Sequence, residues 1–230
     1  MRKNQSFDNL QDNYETEIDR AIQGFPGEHD FFLRAKAKII ESMANGLNKT
    51  KHHVRLLDIG CGLGLMERHL RIPNAEITGI DVSEPLLEKA RINVPGCRFY
   101  PFDGQRINDE DNSYHLVFAI NVFHHVSINS RFALISEMKR VLRPGGVLAI
   151  FEHNKYHPAT RYVVSQCAFD RDAILLSQAN TRSLLQKASL NSIESSYIIF
   201  IPWSIRMNRV LEYALGKLPL GAQYFVKGLK

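Results

Sequence analysis

The chain predicts an α/β fold: a mostly parallel sheet with helices on both faces. Three observations carry that reading. Short apolar runs with strand character alternate with helical periodicity from Val54 to Glu152, and this rhythm calls for right-handed crossovers between parallel strands. The first run ends in a glycine-rich turn, Asp58-Ile-Gly-Cys-Gly-Leu-Gly64. Acids then close the next two strands, Asp81 and Asp103, at the carboxyl ends where open parallel sheets bind ligands.

A length of 230 residues and a hydrophobic content of 44% suit one domain, undivided by any Pro, Ser or Gly-rich linker. Before the first strand, 14–22 and 29–47 read as helices. The second carries Phe32, Ala35, Ile39 and Met43 at helical spacing, so residues 1–50 form a small helical cap ahead of a main domain, 51–230. Strands are predicted at 54–58, 76–81, 97–101, 114–121 and 146–152, and helices at 62–71, 84–93 and 127–142. Ser83 offers a capping hydroxyl to the helix that opens Glu84-Pro85, and Pro144-Gly145-Gly146 turns the chain into the next strand. Residues 153–178 are polar, aromatic-rich and too long for a connection, as a substrate lid is. A helix at 181–190, a strand at 193–201, an amphipathic helix at 205–217 and a strand at 222–227 complete the chain.

The net charge of +5 is mild, although Arg206, Arg209, Lys217, Lys227 and Lys230 crowd the last quarter. No interleaving of aromatic and basic residues and no DNA-reading module accompanies them, so nucleic acid is not an expected partner. Arginines flank Val210, Leu211 and Leu215 in the 205–217 helix, a pattern open to membrane-surface contact; a core-facing helix with a solvated side is the preferred reading. No apolar run approaches the ~20 residues that span a bilayer, and the first thirty residues lack a secretory pattern, so a cytoplasmic location is expected. Cys61, Cys97 and Cys167, odd in number and far apart, read as free thiols.

Gly60, Gly62 and Gly64 free the backbone for positive φ and for close approach by a ligand, and an adenosine-like group is the first expectation. Leu65 stands where the dinucleotide fingerprint needs its third glycine, which argues against a dehydrogenase. Asp81 can accept ribose hydroxyl protons in either kind of site. Asp103, followed by Gly104, is either an adenine contact or a turn-forming aspartate. The runs YHLVFAINVFHHV and EMKRVLRPGGVLAIFEHN follow.

In this order and at these separations the four segments resemble the class I S-adenosylmethionine (SAM)-dependent methyltransferases, in particular their ubiquinone and small-molecule branch, from about Asn13 to the C-terminus. The chain departs from the pattern at His115, where the family more often has Asp, and at Asn191, where a Gly is usual. The resemblance implies a Rossmann-like sheet of seven strands, six parallel and the last antiparallel. It implies SAM as cofactor, with Asp58, Gly60, Cys61, Gly62 and Gly64 at the methionine moiety, Asp81 and Val82 at the ribose, and Asp103 and Gly104 at the adenine. Asn121 would offer a backbone carbonyl near the substrate amine, and Lys36 could pair with the cofactor carboxylate. The segment Glu152–Leu176 and the ending PLGAQYFVKGLK are similar to a narrower group associated with bacterial polysaccharide gene sets.

Methyl transfer from a sulfonium is an in-line displacement, in which the protein aligns the partners, excludes water and removes a proton from a poor nucleophile. His124 and His125 follow the fourth strand on the side where the methyl group emerges, with His124 the favoured base, and Glu152 follows the adjacent strand and could orient an imidazole. This arrangement is similar to that of glycoside O-methyltransferases of the rebeccamycin type. His153, Asn154, His157, Arg161, Asp170 and Asp172 could contact the acceptor. Glu152, His153 and His157 lack the spacing of a metal site, and none is expected. The reading is therefore methyl transfer to a hydroxyl of a small molecule or glycan. C-methylation of a quinone-like ring and a non-catalytic SAM-binding protein are the alternatives.

Overall fold

The computed structural model describes Arg20 and residues 29–47, 53–200 and 215–230. The helices read at 14–22 and 205–217 lie, apart from a few residues, outside the described stretches.

Helix α1 (His29–Leu47) leads into strand β1 (Val54–Ile59). Then come β2 (Ala75–Asp81), α2 (Glu84–Asn93), β3 (Arg98–Pro101), β4 (Tyr114–Ile120), α3 (Ile128–Val141) and β5 (Leu142–His153). Helices α4 (Pro158–Gln166) and α5 (Gln178–Lys187) precede β6 (Asn191–Ile198) and β7 (Gln223–Leu229). The seven strands form one sheet in the order β3-β2-β1-β4-β5-β7-β6. Only β7 runs against its neighbours, as expected. The strand order reverses between β1 and β4, so the crevice at their carboxyl ends is the natural ligand site of this topology.

Alternation along the strands divides the core. Leu57 and Ile59 pack with Ile135 and Met138 of α3 and Leu185 of α5, whereas Val54 and Leu56 face Ala37, Ile40 and Ala44 of α1 on the other side. Each large aliphatic side chain removed from water in this way contributes about 1.5–3 kcal/mol against the entropy of ordering the chain. Among the described residues no helix is long and apolar enough to cross a membrane.

The structure corrects three local expectations. No α-helix spans 62–71; the segment is a series of turns ending in one 3-10 turn, Glu67–His69. Gly60, Gly62 and Gly64 take φ of +76°, +54° and +73°, which no right-handed helix accommodates, and the few residues left before Pro73 close short bonds such as His69 N–H to the Met66 carbonyl, 2.9 Å. At the start of α2 the Ser83 hydroxyl makes no capping bond; its backbone N–H donates to Asp81 Oδ1 at 2.9 Å. Pro144 to Gly146 lie within β5 rather than before it, with Gly145 at φ +75° bonding to the C-terminal Lys230 carbonyl. His115 accepts the Arg55 N–H at 3.0 Å and meets Arg143, at the opposite end of β4 from the crevice.

Candidate active site

The crevice opens into a cavity of about 680 Å³, walled by α1, the glycine turn, the end of β2, the segment after β4 and the lid. The size suits a nucleoside-sized ligand.

Its floor is the turn after β1. The Gly60 N–H bonds to the Ile80 carbonyl at 2.7 Å, and the Gly62 N–H donates to Asp81 Oδ2 at 3.0 Å, so one acid at the end of β2 braces both the turn and α2. A Cβ at Gly60 would lie 2.5 Å from Val122 Cγ2. Gly60→Ala therefore meets a clash and an unfavourable φ together, and is expected to cost roughly 1–3 kcal/mol of stability. Weaker nucleoside binding should accompany it. Chemical denaturation checks the first effect, and Gly60→Ala/Val122→Ala should recover only the part owed to the clash.

A lysine and an acid, Lys36 and Asp58, both line the cavity. Lys36, 3% exposed, has its ammonium destabilised by burial, which Glu152 and Asp58 only partly offset, leaving it at about 8. Asp58 is buried, and burial together with the neighbouring Glu67 raises its pKa well above the usual carboxylate range. Asp58 Oδ1 and Asn121 Oδ1 are buried without a protein donor, and both residues line the cavity. Asn121 holds φ +56°, a left-handed turn that ends β4.

A second group of polar side chains is built around His124. Its Nδ1 lies 2.7 Å from Glu152 Oε2 and its Nε2 3.2 Å from Asp170 Oδ1. Glu152, fully buried, also accepts the Phe123 N–H at 2.7 Å and the His124 N–H at 3.3 Å through Oε1. Burial disfavours charge on both partners, but the imidazolium–carboxylate attraction outweighs it: His124 rises to about 10 and Glu152 falls below its ordinary value. His124 is thus a buried cation clamped between two carboxylates. Its neighbour His125, with a side chain 20% exposed, points Nε2 at the same Asp170 oxygen, 3.3 Å away. Asp170, on a 3-10 turn of the lid (Ala168–Asp170), is held well below the carboxylate range by the two imidazoles in spite of burial. The lid is tied down beside it, since the Ile174 N–H bonds to the His124 carbonyl at 2.9 Å and Arg131 donates to the Ile174 carbonyl at 2.6 Å. Burial and the adjacent His124 charge lower His153 to about 4, so that ring is neutral. His124, His125 and Asp170 are also where, among the described residues, three metal-capable side chains meet, with ligand atoms within 4.8 Å of one another.

Thus Lys36, Asp58, Gly60, Cys61, Gly62, Asp81, Val82, Asn121, His124 and His125 share one cavity. Gly64 supports the turn from behind, packed toward Phe99 and Ala90. Asp103 and Gly104 do not line the cavity. Asp103 Oδ1 accepts the N–H groups of Gln105 and Arg106 at 2.7 and 2.8 Å, the turn-forming alternative. Of the lid residues, His157 caps α4 by accepting the Thr160 N–H, and Asn154 pins the start of β7 through the Pro219 and Gly221 carbonyls. Asp172 reaches the cavity. His29, Ser127, Asn129 and Ile174 also line it and were not among the expected site residues; packing of α1 and the lid brings in His29 and Ile174, and the turn into α3 brings in Ser127 and Asn129.

Residues 56–146 match the family model described as a methyltransferase domain. The chain carries a methyltransferase domain over these residues. It is 32% identical over 118 residues to trans-aconitate 2-methyltransferase of Enterobacter sp. (strain 638), covering 50% of this chain and 46% of that enzyme. It is 30% identical over 180 residues to methyltransferase GfsG of Streptomyces halstedii, covering 74% and 64% respectively. The matches thus span less than two thirds of either relative. Among solved structures, a SAM-dependent methyltransferase from Thermotoga maritima, a possible histamine N-methyltransferase, superposes with a TM-score of 0.68 at 17% identity, covering 97% of this chain and 98% of that one. The cofactor of the methyltransferase domain is SAM, and the cavity fits it: a glycine cradle for the backbone approach, with a buried cation and a buried acid for a zwitterionic end.

Proposed function

We propose that the protein transfers the methyl group of SAM to a hydroxyl of a small molecule or glycan, with His125 accepting the hydroxyl proton. The observation that carries this reading is the Asp170 carboxylate shared between a fully engaged His124 and a cavity-lining His125. His124, with both ring nitrogens occupied and a charge that persists to about pH 10, is a poor base. The base assignment therefore moves from His124 to His125, and His124 with Glu152 becomes the fixed electrostatic wall behind it.

In this reading Lys36 receives the cofactor carboxylate, Asp58 the α-ammonium and Asp81 the ribose hydroxyls, while the Gly60–Gly64 backbone lies against the methionine chain. Bound SAM supplies an already activated methyl group. His125 would take the proton of an acceptor hydroxyl held in the cavity, so that the oxygen could accept the methyl group that the cofactor would supply. Asp170 fixes the imidazole ring and stabilises the imidazolium.

Isothermal titration of the folded protein with SAM and S-adenosylhomocysteine tests the cofactor half, and absence of heat with both overturns it. Incubating cell extracts with methyl-labelled SAM tests the rest: an O-methylated product is expected, and a product labelled only on carbon overturns the hydroxyl assignment.

A further inference from the structure

A second acid lies behind the glycine turn. Glu67, on the 3-10 turn, is 3% exposed, and neither of its carboxyl oxygens has a hydrogen-bond donor. It stands against Asp58, itself 2% exposed and orphaned at Oδ1. The groups that face the pair offer little relief. Asp81, from β2, adds negative charge to both acids, and Lys36, from α1, faces Asp58 alone. Cys61 in the turn and Cys97 before β3 face Glu67 as thiols that burial keeps protonated. Two neighbouring carboxyl groups, out of water and with three of their four oxygens lacking a donor, cannot both ionise at modest cost. One proton shared between them satisfies both, the O–H of one donating to the carboxylate of the other, and the pair then titrates as a unit.

We propose that Glu67 is a positioning residue for the amino-acid end of the cofactor: it shares a proton with Asp58, and the pair releases that proton to solvent when an α-ammonium group docks on Asp58. This rests on the reading that SAM fills the cavity with its methionine end at Asp58. An ammonium beside Asp58 restores the charge balance that the proton otherwise provides, so the doubly ionised pair becomes the stable form. Burial pushes Glu67 up to about 7, so release falls in the neutral range and affinity should rise with pH as the free pair approaches ionisation. Lys36, lowered to about 8 by burial, takes up a proton when a carboxylate docks on it, but it is already protonated at pH 6.5 and does not mask the effect there.

Titration calorimetry with S-adenosylhomocysteine at pH 6.5, in buffers of different ionisation enthalpy, counts the protons. Release of roughly 0.5–1 proton per ligand is expected, with affinity rising by up to about tenfold between pH 5.5 and 6.5. 5′-Methylthioadenosine, which has the nucleoside but no ammonium, should release none. Glu67→Gln, whose amide donates to Asp58 without a titratable proton, should bind S-adenosylhomocysteine with no release. Wild-type binding without proton release overturns the proposal, as does undiminished release from Glu67→Gln. No binding of S-adenosylhomocysteine by the folded wild type would instead overturn the cofactor assignment on which the proposal rests.

Discussion

Glu152→Ala should lower folding stability by roughly 3–5 kcal/mol, read as a fall in the urea midpoint, a loss comparable to a third or more of the stability of an ordinary domain. Four donors lose their acceptor at once. His124 Nδ1 is 2.7 Å from the carboxylate, and the Phe123, His124 and His153 backbone N–H groups all donate to it. Phe123 and His124 sit where water does not reach, so each absence there carries a desolvation cost as well as a lost bond. His124→Ala/Glu152→Ala should cost clearly less than the two single changes added together, because neither partner is then left as an uncompensated buried charge. Additive costs would show that the pair is not coupled.

The same pair sets a pH dependence whose sign follows from its shifts. His124 is raised in the folded state from about 6.5 to about 10, so its contribution is complete below about pH 6.5 and is lost as pH climbs toward 10. Glu152 and Asp170 are lowered, so theirs is complete above roughly pH 5 and is lost as pH falls through their folded values. The cluster is therefore expected to stabilise most between about pH 5 and 6.5. In Glu152→Ala the alkaline loss should shrink, and an unchanged stability-against-pH curve would contradict the imidazolium assignment.

His125→Ala should reduce kcat by roughly 10²–10⁴-fold with the acceptor identified in the labelled-extract screen, while SAM affinity stays within about twofold. The split follows from position: His125 lines the cavity from the segment after β4, whereas Lys36 and Asp58, the residues assigned to the amino-acid end of SAM, line it from α1 and β1. Asp170→Asn should lower kcat as well, since it removes the carboxylate that orients His125 and balances His124. Full activity in His125→Ala would exclude it as the proton acceptor.

Much of the fold is legible in the sequence because parallel strands and their helices announce themselves locally. Helical spacing over 29–47 placed α1, the alternation of periods from Val54 onward placed α2, α3 and β1 to β5 within a few residues, and the helix start at Glu84-Pro85 coincides with α2. The failure at 62–71 is equally local. Three left-handed glycines exclude a helix, and the apolar spacing after them reflected a turn packed into the core, with Leu63, Leu65 and Met66 all buried. At the site, the glycine turn, Asp81 and the histidine pair were visible as residues at strand ends. Asp103 was visible too, but its two readings differ only in whether neighbouring N–H groups or a ligand meet the carboxylate; the turn's N–H groups occupy Oδ1.

The roles within the site depend on distances that span the chain. His124 and His125 are adjacent in sequence and chemically identical, and the sequence reading that favoured His124 had no long-range contact to weigh. Folding brings Glu152 from β5 and Asp170 from the lid to opposite sides of one ring, and so makes His124 a buried cation and leaves its neighbour facing the cavity. Glu67 is likewise an unremarkable acid in the sequence until the turn packs it, without donors, against Asp58. Residue types at strand ends follow from local pattern and identify a cofactor. Protonation states follow from burial and from charges brought together across tens of residues, and the sequence order of those charges does not contain them.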